Sequence, residues 1–429
     1  MNTYSSYKGS GVEWIGEIPS GWDTIKCGYL FRVVSLKNNI GEQNLSVYRD
    51  YGVIQRDSRD DNHNRVSEDI SNYKLVEVGN FVFNKMKCWM GSLGVSKFRG
   101  IVSPSYTVCE TTQPFDGKYL HHLLRSKLYI QEFERLSYGV RVGQWELRFH
   151  DFRDILSVFP PIQEQQQISN YLDHKTQQID SLIKKTQQKI ELLKEQRTSL
   201  INQVVTKGLN PDVEMKDSGV EWIGKIPSGW DVVSIKRLCY VKRGSSPRPI
   251  DDPKYFDEQG EFRWVRISDV SSSERYLEKT TQVLSELGSS LSTKRYPGDI
   301  FLSIAGSVGK PIISKIKCCI HDGFVWFDDL NIDSEYLYYI FSLSQCFQGL
   351  GKFGTQLNLN TETVGSIKIT LMTHFEQQQI VDHLDKETSK IDSTIEKETQ
   401  RIELLKEYRQ SLISEVVTGK VDIRDEVVV

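Results

Sequence analysis

The sequence predicts an α+β protein in which a mixed α/β domain followed by a long helix occurs twice in tandem. A 14-residue segment, residues 10–23, returns as residues 218–231 with one change, Glu17 to Lys225. A long polar segment with an apolar stripe also returns: 27 of the 43 positions from 164 to 206 are identical at 376 to 418. Between these repeats lie strand-like stretches bounded by Gly, Pro and Asp, which favour the α+β class.

The interiors of the two domains share only a skeleton. Residues 78–83 match 297–302 as a turn that leads into an apolar strand, and residues 91–94 match 306–309 as a glycine-containing turn. Each interior then continues into an amphipathic run. We divide the chain into a first domain, a first long helix, a second domain, and a second long helix with a tail: 1–158, 159–212, 213–371 and 372–429.

The first long segment, residues 160–208, has the pattern of a single helix. Two prolines at its start suit a first helical turn, and Gly208 with Pro211 predicts its end. Apolar residues recur at steps of three, four or seven and form one narrow stripe, too thin to be a core by itself. The stripe residues are Ile168, Leu172, Ile179, Ile183, Ile190, Leu193, Leu200 and Val204.

The second long segment is the partner that this stripe requires. It has Met-Thr-His at 372–374 where the first copy has two prolines, so its predicted start is less sharply defined. Lys175, Thr186 and Arg197 lie near the stripe and are candidates to set the register of the helix pair. The stripe returns as Ile380, Leu384, Ile391, Ile395, Ile402, Leu405, Leu412 and Val416.

Composition limits the classes of partner. The chain has 54 basic and 57 acidic residues and a net charge of −3, so any binding to nucleic acid must come from local patches. No apolar run approaches the ~18 residues of a membrane span, and the N-terminus lacks a signal-peptide core. The seven cysteines are odd in number and show no C-x-x-C pair. We therefore expect a cytoplasmic protein with reduced thiols and no membrane partner.

Basic stretches without acids are the first candidate site. No Asp or Glu occurs at 78–109, 232–250 or 300–321, and such stretches suit a phosphate backbone with base edges. The alternative is a solvated surface that happens to lack acids. The candidates in the first domain are Lys85, Lys87, Trp89, Ser92, Lys97, Arg99, Ser105 and Tyr106. Those in the second domain are Lys242, Arg243, Ser245, Arg248, Ser303, Ser307, Lys310 and His321, and Arg266, which lies between these stretches, is a further candidate.

A polar loop before each long helix is the second candidate. Arg can bind guanine bidentately and Asn or Gln can bind adenine, each with a discrimination of ~1–3 kcal/mol. The alternative is ordinary loop and capping chemistry. The candidates are Arg141, Gln144 and Arg148 in the first loop and Lys352, Gln356, Asn358 and Asn360 in the second.

The sequence segments that resemble catalytic motifs each lack an essential residue or the required spacing. The glycine loop at 306–310 lacks the Walker spacing and has Pro311 where Ser or Thr would hold magnesium. Asp212 and Glu214 resemble a nuclease signature in letters only, since they sit close together in a linker. The histidines show no metal-ligand spacing. We predict no catalytic residue and no metal site.

With this plan in view, the chain resembles the specificity subunit of type I restriction–modification systems over essentially its full length. The marks are Glu-Gln-Gln-Gln-Ile at 164–168 and 376–380, each where a variable domain gives way to a long helix. The Ile-Pro-x-x-Trp segments at 18–22 and 226–230 also fit.

The resemblance implies two target-recognition domains, each reading one half of a bipartite, asymmetric DNA site through the major groove. It implies an antiparallel coiled coil of the two helices, pseudo-two-fold, which sets the spacer and docks two methyltransferase (modification) subunits. Restriction/translocase subunits would join them. The chain itself would be non-catalytic within a DNA adenine methyltransferase and endonuclease complex. S-adenosylmethionine, ATP and Mg²⁺ would belong to the partner subunits.

The helix length is compatible with this reading. About 43 helical residues give a rod of ~65 Å, and half-sites one turn apart are ~34–36 Å between centres. The stripe alone does not decide the helix orientation. A coiled-coil scaffold or adaptor whose α+β domains bind proteins is the alternative from another class, and an unrecognised nuclease is a third.

Overall fold

A computed structural model of the chain describes residues 2–49, 51–58, 67, 69–139, 145–350 and 359–426. The chain divides into two compact units. Unit 1 comprises Met1–Gln187 with Thr399–Val429, and unit 2 comprises Gln188–Glu398. Each unit therefore contains one globular part, one half of the first long helix and one half of the second. The predicted α+β class with two long helices is confirmed.

The globular part of unit 1 is built from short strands and four helices in its described residues. Its helices are α1 (Cys27–Leu30), α2 (Gly117–Leu124), α3 (Lys127–Leu136) and α4 (Phe149–Phe152), with 3-10 turns at Arg56–Ser58 and Cys88–Met90. Its strands are β1 (Tyr7–Gly9), β2 (Glu17–Pro19), β3 (Asp23–Lys26), β4 (Phe31–Val34), β5 (Leu45–Tyr48), β6 (Gly52–Gln55), β7 (Lys74–Val76), β8 (Phe81–Asn84), β9 (Leu93–Val95), β10 (Gly100–Val102), β11 (Tyr106–Thr111) and β12 (Leu156–Phe159).

The first long helix is α5 (Ile162–Lys207). Unit 2 then adds strands β13 (Met215–Asp217), β14 (Lys225–Pro227), β15 (Asp231–Ser234), β16 (Tyr240–Arg243), β17 (Phe262–Val265), β18 (Tyr276–Leu277), β19 (Gln282–Leu284), β20 (Thr293–Arg295), β21 (Ile300–Ser303), β22 (Pro311–Ser314), β23 (Cys318–Ile320), β24 (Phe324–Asp328) and β25 (Lys368–Leu371). Its helices are α6 (Ile267–Ser272), α7 (Glu286–Ser290), α8 (Ser334–Phe341), α9 (Thr361–Ser366) and α10 (His374–Val417), with 3-10 turns at Ile235–Arg237, Pro253–Tyr255 and Ser344–Phe347.

The central sheets of the two units have the same strand order. Unit 1 has β4-β11-β8-β9 and unit 2 has β16-β24-β21-β22, extended by β18. In each unit a strand at the start of the globular part also pairs with the strand before a long helix, β3 with β12 and β15 with β25. The skeleton inferred from sequence therefore corresponds to one shared sheet, although few side chains are common to the two interiors.

The repeated 14-residue segment joins the start of one long helix to the end of the other within each unit. In unit 1 the Trp22 indole donates to the Glu164 carboxylate at 2.9 Å, near the start of α5. A Cβ at Gly419, just past the end of α10, would collide with the rings of Trp22 and its neighbour Pro19. In unit 2 the Trp230 indole donates to Glu376 at 3.2 Å. The near-identity of the two segments follows from this shared packing role.

The first glutamine of each Glu-Gln-Gln-Gln-Ile motif is buried and holds the globular part to the helix. Gln165 Oε1 accepts from the main-chain N–H of Asp116 at 3.0 Å, just before α2, and its Nε2 donates to the Pro160 carbonyl at 2.8 Å. Gln377 makes the equivalent bonds to Asp333 N and the Met372 carbonyl, at 3.0 and 3.1 Å. The Glu-Gln-Gln-Gln-Ile motif, on which the family resemblance rests, thus attaches each globular part to its long helix.

The two long helices run antiparallel in both units. Unit 1 combines the first half of α5 with the second half of α10, and there Arg409 Nε lies 2.9 Å from the Asp180 carboxylate. Unit 2 combines the other halves, and Arg197 Nε lies 2.8 Å from Asp392. Arg197 was a register candidate from sequence. Another, Thr186, is buried and donates to the Leu182 carbonyl of its own helix at 2.9 Å.

The apolar stripe is buried most deeply where the helices meet the globular parts. Ile168, Leu172, Leu412 and Val416 belong to one core with residues of unit 1. Stripe residues nearer the middle of the helices, such as Leu193 and Ile391, are half-buried. Sequence periodicity missed further buried residues that widen the stripe towards the helix ends: Tyr171, Ile201, Val205, Val381 and Val417.

The second long helix begins as sharply as the first. Thr373 Oγ1 accepts from the main-chain N–H of Glu376 at 3.3 Å, and the Glu376 carboxylate accepts from Thr373 N at 3.2 Å. These reciprocal bonds form a capping box, which replaces the two prolines of the first copy. The expectation of a less defined start is therefore wrong. The end of the first long helix, α5, agrees with the prediction. Gly208 follows the last helical residue with a φ of 74° and terminates the helix.

The helices and the cysteines have simple features in the structure. None of the helices in the described residues is long and apolar enough to cross a membrane. All seven cysteines are free and buried. Cys318 and Cys319 face different apolar clusters from neighbouring positions on β23, as their predicted alternation on a strand requires.

Candidate nucleic-acid interface

One edge of the central sheet of unit 1 gathers the basic and aromatic candidates. Strand β8 ends at Asn84, which pairs with Tyr106 at the start of β11, and β4 ends at Val34, which pairs with Val108. The segments that follow β4 and β8 and precede β11 therefore leave the sheet on the same side. We call this surface edge 1, comprising residues 35–40, 85–90 and 103–106, with Tyr138 and 145–148 packed beside them.

Edge 1 joins two stretches that were separate in the sequence. Lys85 N donates to the Ser105 carbonyl at 3.1 Å, and Leu147 N donates to the Lys85 carbonyl at 3.0 Å. The rings of Trp89 and Trp145 lie 5.2 Å apart. The basic loop after β8 and the polar loop before α5 thus form one surface.

Arg148 completes this surface. Its guanidinium lies 4.9 Å from the centre of the Tyr138 ring, and its Nε lies 3.7 Å from the Glu146 carboxylate. Glu146 also lies 3.9 Å from Lys85 Nζ. These pairs are long and partly open to water and are therefore weak, so both cations remain able to bind a stronger anion.

Three lysines concentrate positive charge at edge 1. Lys74 Nζ donates to the Tyr106 carbonyl at 2.5 Å. Burial lowers the pKa of Lys74, and the neighbouring charges of Lys85 and Lys37 lower it further. Such mutual repulsion favours binding of an anion. Sequence reasoning missed Lys37 and Lys74, although residues 32–41 also lack acids and that signal could have identified Lys37.

Three candidates of the first domain lie elsewhere. Lys97 and Arg99 follow β9, at the opposite end of the β8–β9 pair from Lys85 and Lys87. Arg99 pairs with Glu42 at 2.8 Å and with Glu77, and these contacts raise its pKa. Ser92 is buried and donates to the Val47 carbonyl at 2.7 Å. These residues do not contribute to edge 1.

Unit 2 presents the corresponding edge of its sheet. Strand β21 ends at Ser303, which pairs with Phe324 of β24, while Gly244 N after β16 donates to the Phe324 carbonyl at 3.0 Å. Strand β17 runs parallel to β23, so Arg266 and His321 follow neighbouring strand ends. We call this surface edge 2, comprising residues 243–250, 266, 304–310 and 321–323.

Asp322 positions two arginines at edge 2. Arg243 Nε donates to the Asp322 carbonyl at 2.5 Å, and Arg248 donates to its carboxylate at 2.8 Å. The Arg248 side chain is 76% exposed. Next to them, His321 Nδ1 accepts from Gly323 N at 2.9 Å, and burial lowers its pKa. A mostly neutral His321 would leave the arginines as the principal cations here.

The glycine loop at 304–310 supplies the other side of edge 2. Ser307 shares a 2.6 Å hydrogen bond with Ser271 of α6. Lys310 Nζ donates to the carbonyls of Ser271 and Ser273 at 3.1 and 2.5 Å, and burial lowers its pKa. The loop is therefore fixed to α6 rather than open for a nucleotide, and Ser245 and Arg266 remain exposed beside it.

Other candidates of the second domain have structural roles. Ser303 is buried and donates to the Ala305 carbonyl at 2.8 Å. Asn360 caps α9 by accepting from the main-chain N–H groups of Glu362 and Thr363, each at 2.9 Å. Lys242 pairs with Asp328 at 2.5 Å on the sheet itself. We leave Ser92, Ser303 and Asn360 out of the proposed interface.

Five candidates lie outside the described residues: Arg141, Gln144, Lys352, Gln356 and Asn358. Within the described part of the chain, no group of three His, Cys, Asp or Glu side chains could hold a metal ion.

Comparison with known proteins agrees with this architecture. Residues 227–406 match the family model of the type I restriction modification DNA specificity domain. The chain is 23% identical to the MjaVIII type I restriction enzyme specificity subunit of Methanocaldococcus jannaschii, over 95% of both proteins. It is 28% identical to the MjaIX specificity subunit of the same organism, over 44% of both.

Two solved structures share the fold. A chain of a type I R-M system, described for its complex assembly and conformational transition, has a TM-score of 0.70 at 17% identity, covering 94% of this chain and 99% of that one. The HsdS subunit of Thermoanaerobacter tengcongensis has a TM-score of 0.53 at 16% identity, covering 94% and 98%. Residues 227–406 thus match the type I restriction modification DNA specificity domain, and the whole chain is similar in sequence and fold to specificity subunits of type I restriction enzymes.

Proposed function

We propose that this chain is the DNA-sequence-specificity subunit of a type I restriction–modification complex, with each unit reading one half of a bipartite, asymmetric site. The observation that carries the proposal is the placement of the exposed basic residues. Several of them gather at corresponding ends of the central strands in the two units, yet the residues at the two edges differ. Two domains that bind different half-sites need binding surfaces at equivalent positions of the fold, with different side chains on each surface.

The long helices have a separate role in this proposal. Their sequences are identical at 27 of 43 positions in the two halves, and their contacts include internal packing and antiparallel ion pairs. We infer that they set the spacer between half-sites and dock two methyltransferase subunits, to which restriction/translocase subunits are added. Catalysis, S-adenosylmethionine, ATP and Mg²⁺ belong to those partners, and this chain contributes recognition alone.

Alanine substitution of basic residues at each edge tests the reading of DNA. In the assembled complex, Lys85→Ala/Lys87→Ala and Arg243→Ala/Arg248→Ala should each weaken binding to the specific duplex. Because each lost phosphate contact releases about one counterion fewer, the slope of log affinity against log salt should fall by up to ~2. Fluorescence anisotropy at several salt concentrations measures both quantities.

Lys97→Ala and Lys317→Ala are the matched controls. Lys97 follows β9 and therefore lies at the end of the strands opposite to edge 1. Lys317 precedes β23 and lies at the end opposite to edge 2. Both should retain the affinity and slope of the unsubstituted protein. If the edge variants behaved like these controls, the edges would not contact DNA, and a scaffold with protein-binding domains would become the better interpretation.

A further inference from the structure

The two edges differ in the size of their side chains at corresponding positions. Val34 pairs with Val108 of β11, and Lys242 pairs with Trp326 of β24. These two partners correspond, because each lies two residues beyond the residue that pairs with the end of β8 or β21. Two residues beyond Val34 is Leu36, whereas two residues beyond Lys242 is Gly244. A Cβ at Gly244 would collide with the His321 carbonyl, so edge 2 has no room for a side chain there.

The next loop repeats this difference. Asn84 and Ser303 are the last residues of β8 and β21. Two residues beyond them are Met86 and Ala305, respectively. Edge 1 therefore has a large apolar side chain at both positions where edge 2 has none or a methyl group.

Leu36 and Met86 are exposed even though their main chain is held in place. The Leu36 side chain is 60% exposed and that of Met86 39%. The Leu36 carbonyl accepts from Leu75 N at 2.8 Å, and Asn38 N donates to the Ser71 carbonyl at 3.1 Å. Folding thus leaves apolar surface of both side chains in contact with water, and neither residue belongs to the hydrophobic clusters of unit 1.

Their surroundings indicate what covers them. Leu36 adjoins Lys37 and Met86 lies between Lys85 and Lys87, so a partner must combine dense negative charge with exposed apolar groups. Duplex DNA has both, because the 5-methyl group of thymine projects into the major groove beside the phosphates. Lysines supply point charges for the phosphates, and the apolar side chains remain for the base edge.

We propose that edge 1 reads A·T base pairs by packing Leu36 and Met86 against thymine 5-methyl groups, whereas edge 2 reads its half-site without methyl contacts. The inference rests on the proposed function and specifies the chemistry of one of its two half-sites. At edge 2, arginines 243 and 248 provide donors suited to guanine, and Gly244 and Ala305 offer far less apolar surface than Leu36 and Met86.

Replacement of thymine by deoxyuridine tests the proposal, because it removes the 5-methyl group and leaves the hydrogen-bonding pattern unchanged. The methylated motif of the host genome defines both half-sites, and exchange of the first domain identifies the one read by unit 1. Deoxyuridine in that half-site should weaken binding of the assembled complex by about fourfold for each contacted methyl. Deoxyuridine in the other half-site should leave the affinity unchanged.

A double variant then assigns the effect to the two side chains. Leu36→Ala/Met86→Ala should bind the thymine and deoxyuridine duplexes equally. Leu192→Ala, which removes an equally exposed leucine from α5, should retain the full difference. Circular dichroism and binding to the unmodified duplex show that each variant is folded.

Three results would overturn the inference: a first half-site without A·T pairs, equal binding of both duplexes by the unsubstituted complex, or a thymine preference that survives in the double variant. In each case specific binding to the unmodified site would still support the proposed function. Absence of specific binding to any DNA would instead remove the proposed function itself.

Discussion

Single residues differ in how well the sequence predicts their surroundings. Lys85, Lys87, Arg243 and Arg248 lie at the sheet edges because each follows or ends a strand, and that position is visible in the chain. Ser92 also adjoins the end of a strand, yet its hydroxyl is buried and donates to the Val47 carbonyl. Burial depends on strands that pair across long sequence separations, which local composition does not contain.

His121 leads to a prediction about pH. It lies in α2, with its Nε2 3.2 Å from Arg125, and its pKa is lowered to about 3, chiefly by burial and then by nearby cations. In the unfolded chain a histidine binds a proton near pH 6.5. Between these values the unfolded state holds more protons, so unfolding becomes easier as the pH falls, by up to ~1.4 kcal/mol per pH unit.

The variant His121→Gln should therefore lose part of this pH dependence between about pH 6.5 and the lowest pH at which the protein remains folded. Urea unfolding at pH 7.5, 5.5 and 4.5 measures the free energy of unfolding. His150→Gln, at an exposed position in α4, should retain the original dependence. An unchanged slope in His121→Gln would show that His121 is protonated in the folded protein.

Helices were the most predictable elements. The sequence predicts a helix over 160–208, and the structure has it over Ile162–Lys207. The prediction succeeds because the prolines, the terminal glycine and the apolar period are all local signals. The capping box at Thr373 is not among the sequence predictions, because its signal in the sequence consists of only one Thr and one Glu three residues later. Sheet order was not predictable, because the pairs β4–β11 and β16–β24 join distant segments with unlike side chains.

The helices carry a prediction of their own. One heptad can be inserted in residues 187–203 of α5 together with one in 386–398 of α10, the segment paired with it through Arg197–Asp392. Seven residues preserve the apolar period and lengthen the pair by ~10 Å. The methylated motif should keep the bases of both half-sites but tolerate a longer spacer. A change in the bases themselves would show that the helices contribute to reading.

At the scale of the whole molecule, the duplication was visible in the sequence but the position of the site was not. The acid-free stretches predict where positive charge accumulates. In the structure, residues of the first stretch, 78–109, lie at two opposite ends of one sheet. Only the shared order of the central strands makes edge 1 and edge 2 comparable. The function proposed for the chain depends on that comparison more than on any one residue.

Domain exchange tests the division of labour. Replacement of residues 24–158 by the first domain of another specificity subunit should change one half of the methylated motif, because the second domain and both helices are untouched. The reciprocal exchange of residues 232–371 should change the other half. A genome-wide map of methylated adenines provides the readout, and simultaneous change of both halves would contradict the model of one domain for one half-site.

The buried glutamines have a consequence for how such proteins diversify. Gln165 and Gln377 hold the globular parts through main-chain N–H groups, and the Tyr119 and Tyr336 hydroxyls donate to the main-chain carbonyls of Val417 and Val205, at 3.2 and 3.3 Å. Such contacts do not depend on most of the side chains that vary between domains. Genetic recombination within the nearly identical repeats can therefore replace a complete reading surface in one event while its attachment to the helices is preserved.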